Sequence, residues 1–218
     1  MKQYTIPSLA SDSFGSATTP QISWQDIPQL HIATYPWFEQ GMKQDTRVKL
    51  AASSTHLHIQ IIAQDNHSYA IQTQLNHMLI CEDSCVEFFF SPSGELGSDY
   101  INLEVNCCGT LHIAYGPNRE QRQFISLDSA SKISCVSSIT SPVKFEQKQD
   151  SHWQIELAIP FDVIKEITKK EVNVNHWYGN FYRCGGRVEP QYAVWNNINV
   201  NQPDYHRPEF FGKLIFDV

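Results

Sequence analysis

The stretch Tyr100–Asn106, YINLEVN, alternates strictly between apolar and polar side chains. Side chains along a β-strand point to opposite faces in turn, so the three aliphatic residues share one face and the polar residues share the other. After a turn at Gly109, the stretch 111–115, LHIAY, has the pattern of a hairpin partner. The two stretches predict an antiparallel sheet that turns one face towards a core.

Short segments of strand character continue along the chain, at 47–50, 56–61, 85–90, 133–139, 153–159, 177–184, 192–195 and 211–216. Helical periodicity is nearly absent, and one proline-led segment, 160–167, predicts one or two helical turns. Many short strands separated by turn residues are typical of a β-sandwich. We therefore predict an all-β fold with very little helix, an antiparallel two-sheet β-sandwich of the jelly-roll or immunoglobulin-like kind.

The length of 218 residues suits one β-rich domain with a sizeable core. Residues 1–44 are rich in Ser, Pro, Thr and Gln but contain Trp24 and Trp37. We predict that this N-terminal segment is irregular and is held against the body by its aromatic side chains. No repeat or linker interrupts the sequence, so we predict a single domain over 1–218.

Charge and hydropathy exclude several classes of protein. The formal net charge of −7 and the lack of a basic run argue against nucleic-acid binding. No stretch approaches the roughly 20 apolar residues of a membrane span, so no membrane partner is expected. The N-terminus lacks the apolar region of a secretory signal, which predicts a cytoplasmic protein. The oligomeric state is left open.

The six cysteines are expected to be free thiols, because a chain without a secretory signal is expected in a reducing compartment. They are Cys81, Cys85, Cys107, Cys108, Cys135 and Cys184. Cys81 and Cys85 with Cys107, Cys108 and His112 offer metal-binding atoms, but their spacing does not match the usual zinc-binding pairs. We therefore predict no metal site.

Glu87 lies inside an aromatic strand, in the stretch 85–90, CVEFFF. Alternation places it on one face with Cys85 and Phe89. Glu is rarely buried without a partner, so Glu87 is either solvated on an open face or held in a polar pocket.

Several segments, taken in order, resemble the family 9 carbohydrate-binding modules, which are β-sandwiches first known as appendages of xylanases. The segments are 82–89, EDSCVEFF; 179–184, GNFYRC; 192–195, YAVW; and 203–212, PDYHRPEFFG. The strands at 100–106 and 153–161 lie between them. The resemblance covers about residues 45–218.

The resemblance implies non-catalytic binding of an oligo- or polysaccharide, in which aromatic faces clamp a terminal sugar ring and polar side chains hold its hydroxyls. This chemistry is reasonable, since a sugar ring has an apolar C–H face and a polar rim. The implied sugar-binding residues are Glu87, Trp195, Tyr182, Arg183, Asn180 and Asn196. The first four are expected to converge on one open concave face, with Trp195 as the platform.

Structural roles remain alternatives for several of these residues. Trp195 could belong to the core, and Tyr182 and Arg183 could lie on an exposed edge. The polar face of 100–106 could be solvated or could form the floor of a ligand groove. His206, Arg207 and Glu209 are interpreted as a structural ion-pair cluster, and Trp24, Trp153 and Trp177 as core residues.

The sequence departs from the family pattern at two places. Cys81 stands where an aromatic residue often forms one side of the clamp, so Tyr69 or Trp37 replaces it or the clamp is one-sided. Residues 91–94, SPSG, replace an Asp-rich turn. Calcium prefers several carboxylates and carbonyls, so the serines disfavour calcium and we predict no cofactor.

Two alternative functions remain open. A glycoside hydrolase needs two carboxylates about 5–5.5 Å apart for retention or about 6.5–9.5 Å apart for inversion, and Glu87 and Glu104 could form such a pair. A haem-binding sandwich could use Met42 or Met78 with one of the histidines.

Overall fold

The computed structural model describes residues 1–9, 22–38, 40–144 and 151–217. In this part of the chain the strands and helices are β1 (Gln3–Ile6), β2 (Leu30–His31), β3 (Thr46–Ala52), β4 (His56–Asp65), β5 (Cys85–Ser91), β6 (Tyr100–Asn106), β7 (Leu111–Gly116), β8 (Gln123–Phe124), α1 (Leu127–Ser131), β9 (Ser134–Ser137), β10 (Ser151–Pro160), α2 (Phe161–Thr168), β11 (His176–Cys184), β12 (Ala193–Val194) and β13 (Gly212–Phe216). Short 3₁₀ turns occur at Trp24–Asp26, Ile80–Glu82 and Pro208–Phe210.

The strands form two sheets packed as a sandwich, which confirms the predicted fold. The first sheet has the order β1-β13-β11-β5-β6-β7-β8, with β12 beside β11, and the second has the order β2-β3-β4-β10-β9. The pairing of β1 with β13 is parallel, so the first sheet is mixed at that edge. The core between the sheets includes Leu50, Ile59, Phe88, Leu103 and Leu157.

The alternation in β5 and β6 decides what each face of the first sheet presents. Val86 and Phe88 join the core, while Glu87 lies on the outer face opposite Glu104 of β6. The predicted hairpin of β6 and β7 is present, with Leu103 opposite Ile113. Hydrophobic periodicity therefore identifies the two faces of these strands correctly.

The N-terminal segment is not wholly irregular. Tyr4 and Ile6 of β1 are buried, and the Tyr4 hydroxyl donates to the Pro28 carbonyl oxygen at 2.5 Å. β2 joins the edge of the second sheet through Leu30 opposite Val48. Residues 10–21 and 39 of the expected irregular segment lie outside the described residues, and the single-domain prediction stays a prediction.

Helix is confined to short pieces. α2 begins after Pro160, as the sequence predicts, and it ends at Thr168, after which Lys169 has a left-handed φ of 55°. α1 was not predicted, and its first turn is capped by the Ser126 side chain, which accepts from the Ser129 amide. No helix in the described ranges is long and apolar enough to cross a membrane.

A second apolar cluster covers part of the outer face of the first sheet. It consists of Phe89, Tyr100, Tyr182, Val194, Ile198 and Phe211. Residues that follow β12, including Val200, Tyr205 and Phe210, pack against it. The rest of that face, around Glu87 and Glu104, opens into a cavity.

Candidate functional site

A cavity of about 600 Å³ lies over the outer face of the first sheet. Its floor includes Glu87 of β5 and Glu104 of β6, which are directly opposite each other in the strand register. Its walls come from four places in the sequence: Met78, Cys81 and Glu82; Arg119 and Arg122; Cys184, Gly185, Gly186, Arg187 and Tyr192; and Pro203, Asp204, Tyr205 and His206. Strand pairing therefore gathers residues from four separate segments around two carboxyl groups.

Glu87 and Glu104, the pocket pair, are both buried side chains of the same charge type. Burial and the nearby Glu104 carboxylate raise the pKa of Glu87 well above its usual value. Burial also raises the pKa of Glu104 to about 7, against the opposing effects of Asn102, Arg122 and Arg119. Asn102 donates to Glu104 Oε1 at 2.8 Å, and the Cys184 thiol donates to Glu87 Oε1 at 2.9 Å.

Guanidinium groups stand beside the pocket pair. Arg119 Nη2 donates to Asp204 Oδ1 at 3.1 Å, and Arg122 Nη1 donates to Asn102 Oδ1. Arg187 lies over the Tyr69 ring, 4.3 Å from its centroid. The cavity therefore offers both hydrogen-bond donors and hydrogen-bond acceptors at short range.

Two tyrosines supply aromatic surface to the cavity wall. Tyr205 stacks on Tyr182 with 4.3 Å between ring centroids and an interplanar angle of 12°. Tyr192 is 40% exposed, and its φ of 45° lies in the left-handed region, which is unfavourable for a bulky residue. His206 completes this wall and is held by the Tyr100 hydroxyl at 2.7 Å from its Nδ1.

The prediction that Trp195 lies on this open face is wrong. Trp195 is only 4% exposed and packs in the core at 6.4 Å from the Phe181 ring. Its amide donates to the Phe181 carbonyl, which continues the pairing of β12 with β11 and turns the indole inward. A Cβ at Gly212 would lie 2.5 Å from the indole, so this glycine provides the space for it.

The prediction that Arg183 lies on the same open face and binds sugar hydroxyls there is also wrong. Arg183 is opposite Val86 in the register, so it points between the sheets rather than into the cavity. It is 2% exposed, and its Nη2 forms a 2.7 Å ion pair with Asp65 of the second sheet. Tyr182 and Arg183 are neighbours in a strand, so they cannot share a face.

The three other predicted residues lie near the site without lining the cavity. Tyr182 is on the correct face but is fully buried beneath Tyr205. Asn180 donates to the Asn196 carbonyl at 2.9 Å and accepts from the Asn196 amide at 2.8 Å. Both asparagines therefore hold the chain after β12 in place, and of the six predicted residues Glu87 alone lines the cavity.

The other sequence interpretations have mixed outcomes. Arg207 and Glu209 do form an ion pair, at 2.6 Å, but His206 faces the cavity instead of joining them. Tyr69 is buried beneath Arg187, and Trp37 packs against Tyr205 at 5.9 Å, so neither stands in the cavity wall.

The cysteine set considered for metal binding is not assembled by the fold. Cys107 lies in the core, and Cys108 donates to the Ser141 carbonyl. Cys85 instead meets Cys184 across the strand pair. No disulfide links any of the six cysteines, all of which lie within the described ranges.

Comparison with known proteins agrees with this architecture. The model of carbohydrate-binding family 9 matches residues 17–216. The chain belongs to carbohydrate-binding family 9. The resemblance in the sequence is thereby confirmed, and the function is non-catalytic carbohydrate binding; the hydrolase and haem alternatives gain no support.

Solved structures show how far the fold is shared. A candidate carbohydrate-binding protein from Bacteroides uniformis ATCC 8492 is 25% identical, with a TM-score of 0.85 and 99% of each chain covered. A family 9 module from Caldicellulosiruptor kristjanssonii in complex with glucose is 11% identical, with a TM-score of 0.64 and coverage of 99% of this chain and 96% of that chain. The same description with cellotriose has a TM-score of 0.62, 11% identity and coverage of 99% and 93%. No curated protein sequence matches the chain.

Proposed function

We propose that the cavity over the pocket pair is the carbohydrate site of this domain and that it holds the end ring of a short oligosaccharide built of glucose units. The observation that carries this proposal is the cavity itself, a concave space of about 600 Å³ with carboxyl groups in its floor and guanidinium groups in its wall. Pockets of this size class accommodate small ligands.

The charges of the cavity suit a neutral polyol. Three arginines and four carboxyl groups line it, so the formal charges nearly cancel. A sugar hydroxyl both donates and accepts hydrogen bonds, and it can therefore bridge a carboxylate and a guanidinium. Such charge-assisted hydrogen bonds are stronger than neutral ones and fix the orientation of the ring.

Aromatic contact is assigned to Tyr192 and Tyr205 in place of Trp195. Both tyrosines line the cavity, and Tyr192 is the more exposed of the two. Its left-handed backbone carries a conformational cost, and costs of this kind often occur at ligand sites. We assign Tyr192 to the apolar face of the sugar ring.

The choice of a glucose-type ligand rests on the relatives. The two Caldicellulosiruptor kristjanssonii modules are described in complex with glucose and with cellotriose. Because both are only 11% identical to this chain, we take from them the class of ligand and not its linkage.

Isothermal titration calorimetry with glucose and cellotriose tests the proposal. We expect one site per chain, and we expect Arg122→Ala to weaken binding by roughly 10- to 100-fold, the effect of removing a hydrogen bond to a charged group. Tyr192→Ala should weaken binding as well. Arg47→Ala is the matched control, because Arg47 pairs with Asp45 on the other sheet, outside the cavity. Equal affinity of the Arg122 and Arg47 variants would move the site elsewhere.

A further inference from the structure

We propose that Cys85, Cys184 and Glu87 form a binding site for a soft divalent cation such as Zn²⁺, with one coordination position open to the cavity. The Sγ atoms of the two cysteines and a carboxylate oxygen of Glu87 all lie within 4.8 Å of one another. All three residues are buried. This metal site differs in its chemistry from the proposed carbohydrate site, although Glu87 and Cys184 both line the same cavity.

The distances fit a metal ion with little movement of the backbone. Zinc–sulfur bonds of about 2.3 Å and zinc–oxygen bonds of about 2.0–2.2 Å in a tetrahedron put the ligand atoms about 3.4–3.8 Å apart. The Cys184 Sγ to Glu87 Oε1 distance is 2.9 Å, so these two atoms need to separate by less than about 1 Å. Rotation of the side chains is sufficient for this change.

The strand pairing fixes the two cysteines in place. Cys85 begins β5 and Cys184 ends β11, and the two are directly opposite in the register. Arg183 Nη1 donates to the carbonyl oxygens of both, at 3.2 Å to Cys85 and 2.6 Å to Cys184. Arg183 is itself held by Asp65. One buried guanidinium therefore sets the spacing of both thiol-bearing residues and places a positive charge close to them.

The donor set decides which class of ion fits. Two thiolates and one carboxylate are ligands for zinc and similar soft or borderline ions, whereas calcium and magnesium prefer oxygen ligands alone. Three protein ligands leave one tetrahedral position for water or for a ligand oxygen, as in open zinc sites. Glu87 and Cys184 both line the cavity, so an ion can enter from it and the open position faces it.

Cobalt titration of the reduced, chelator-treated 218-residue chain tests this proposal without any saccharide. Co²⁺ bound to thiolates gives a sulfur-to-metal charge-transfer absorption. We expect this absorption to saturate at one Co²⁺ per chain and to disappear when Zn²⁺ is added. Failure here would leave the carbohydrate proposal untouched, because no sugar enters the experiment.

Matched cysteine variants locate the ion. Cys184→Ser should lose the absorption, whereas Cys135→Ser should keep it, because the Cys135 thiol donates to the Gly109 carbonyl away from the cluster. Titration of Cys108→Ser checks the neighbouring thiols at 107 and 108 and should also leave the absorption intact. An unchanged spectrum in Cys184→Ser, or no absorption in the wild-type protein, would overturn the proposal.

A second measurement covers the case in which Cys184→Ser does not fold. Cadmium NMR of the wild-type protein reports the number of sulfur ligands from the chemical shift, and we expect the shift of a site with two sulfurs. Glu87→Gln keeps the size of the side chain, and we expect it to weaken Co²⁺ binding while the circular dichroism spectrum stays that of the wild type. A shift typical of oxygen ligands alone would contradict the assignment.

Discussion

Two buried pairs of ionisable side chains lie on either side of the first sheet, and they differ in whether an opposite charge is bonded to the carboxyl group. Asp65 and Arg183, the inner pair, lie between the sheets, 3% and 2% exposed, with 2.7 Å between carboxylate and guanidinium. Trp153 Nε1 also donates to Asp65, at 3.0 Å, so the inner carboxylate is well satisfied. The inner pair is a structural tie between the two sheets.

The pocket pair, Glu87 and Glu104, has neutral hydrogen-bond partners instead of a bonded guanidinium. Glu104 accepts from Asn102 and has His112 Nε2 at 3.9 Å, and Glu87 accepts from the Cys184 thiol. Burial lowers the pKa of His112 to about 4, so this imidazole is neutral near pH 7.

Two carboxyl groups face each other across neighbouring strands, and the arginines of the wall approach them from the side of the cavity. Buried pairs of opposite charge are typical of structural contacts, whereas two like-charged groups buried beside a cavity are typical of binding or catalytic sites. Strand position decides the difference, because Arg183 and Glu87 belong to adjacent strands but point to opposite faces.

Breaking the inner pair should have the largest effect. Arg183→Met leaves Asp65 buried without its cation, and removing one partner of a buried pair costs about 3 to 5 kcal/mol. Urea unfolding should show this loss in the free energy of unfolding. Arg47→Met is the control, since Arg47 pairs with Asp45 at a partly exposed position and its loss should cost about 1 kcal/mol or less. Similar costs for the two variants would mean that the inner pair is not a structural tie.

Replacing Trp195 is a second test of whether residues on the inner face of the sheet affect stability and not sugar binding. Trp195→Phe empties part of a core position, so we expect the free energy of unfolding to fall by about 1 to 3 kcal/mol. Because Trp195 does not line the cavity, affinity for cellotriose in calorimetry should not change. The reverse result, lost affinity with unchanged stability, would make Trp195 the sugar platform after all.

The fold could be predicted because the pattern that determines it can be recognised within short segments of the sequence. Period-2 alternation in 100–106 and 85–90 assigns each side chain to a face, and these assignments are confirmed by the core. The same alternation puts Glu87 on the outer face, and the resemblance to family 9 modules marks it as a candidate sugar-binding residue.

The rest of the site depends on contacts between distant segments. Trp195 turns inward because a two-residue strand, β12, pairs with β11, and so short a strand has no readable alternation. The partner of Arg183, Asp65, is 118 positions away in the other sheet. Arg119 and Arg122 reach the cavity through the connection between β7 and β8, where the sequence shows only a polar turn. One available clue was missed, since alternation in β11 already separates Tyr182 from Arg183.

Acid should weaken the inner pair. Burial alone raises the pKa of Asp65, but Arg183 and the hydrogen bonds from Ser84, Trp153 and His67 outweigh burial and hold that pKa below its usual value. A depressed folded-state pKa gives stability that is complete above the unfolded pKa of about 3.9 and is lost as the pH falls through the folded value. Urea midpoints should therefore drop more steeply below pH about 4 in the wild type than in Asp65→Asn. If the urea midpoints of the wild type and of Asp65→Asn fall equally steeply below pH about 4, this assignment of Asp65 is wrong.

The pocket pair should show the opposite pH dependence. The pKa of Glu104 is raised, through burial, to about 7, so the folded protein binds a proton more tightly than the unfolded chain does. Its contribution to stability is complete below the unfolded pKa of about 4.3 and is lost as the pH rises towards the folded value.

Glu104→Gln removes this titration, and we expect its urea midpoint to stay flatter than that of the wild type between pH about 4.3 and 7. The measurement belongs in chelator-containing buffer, so that no metal ion alters the carboxyl groups. Asp128→Asn is the control, since Asp128 lies on the surface in α1. If Glu104→Gln and Asp128→Asn follow the same pH profile, the two pocket carboxyls do not oppose each other, and the contrast with the inner pair is lost.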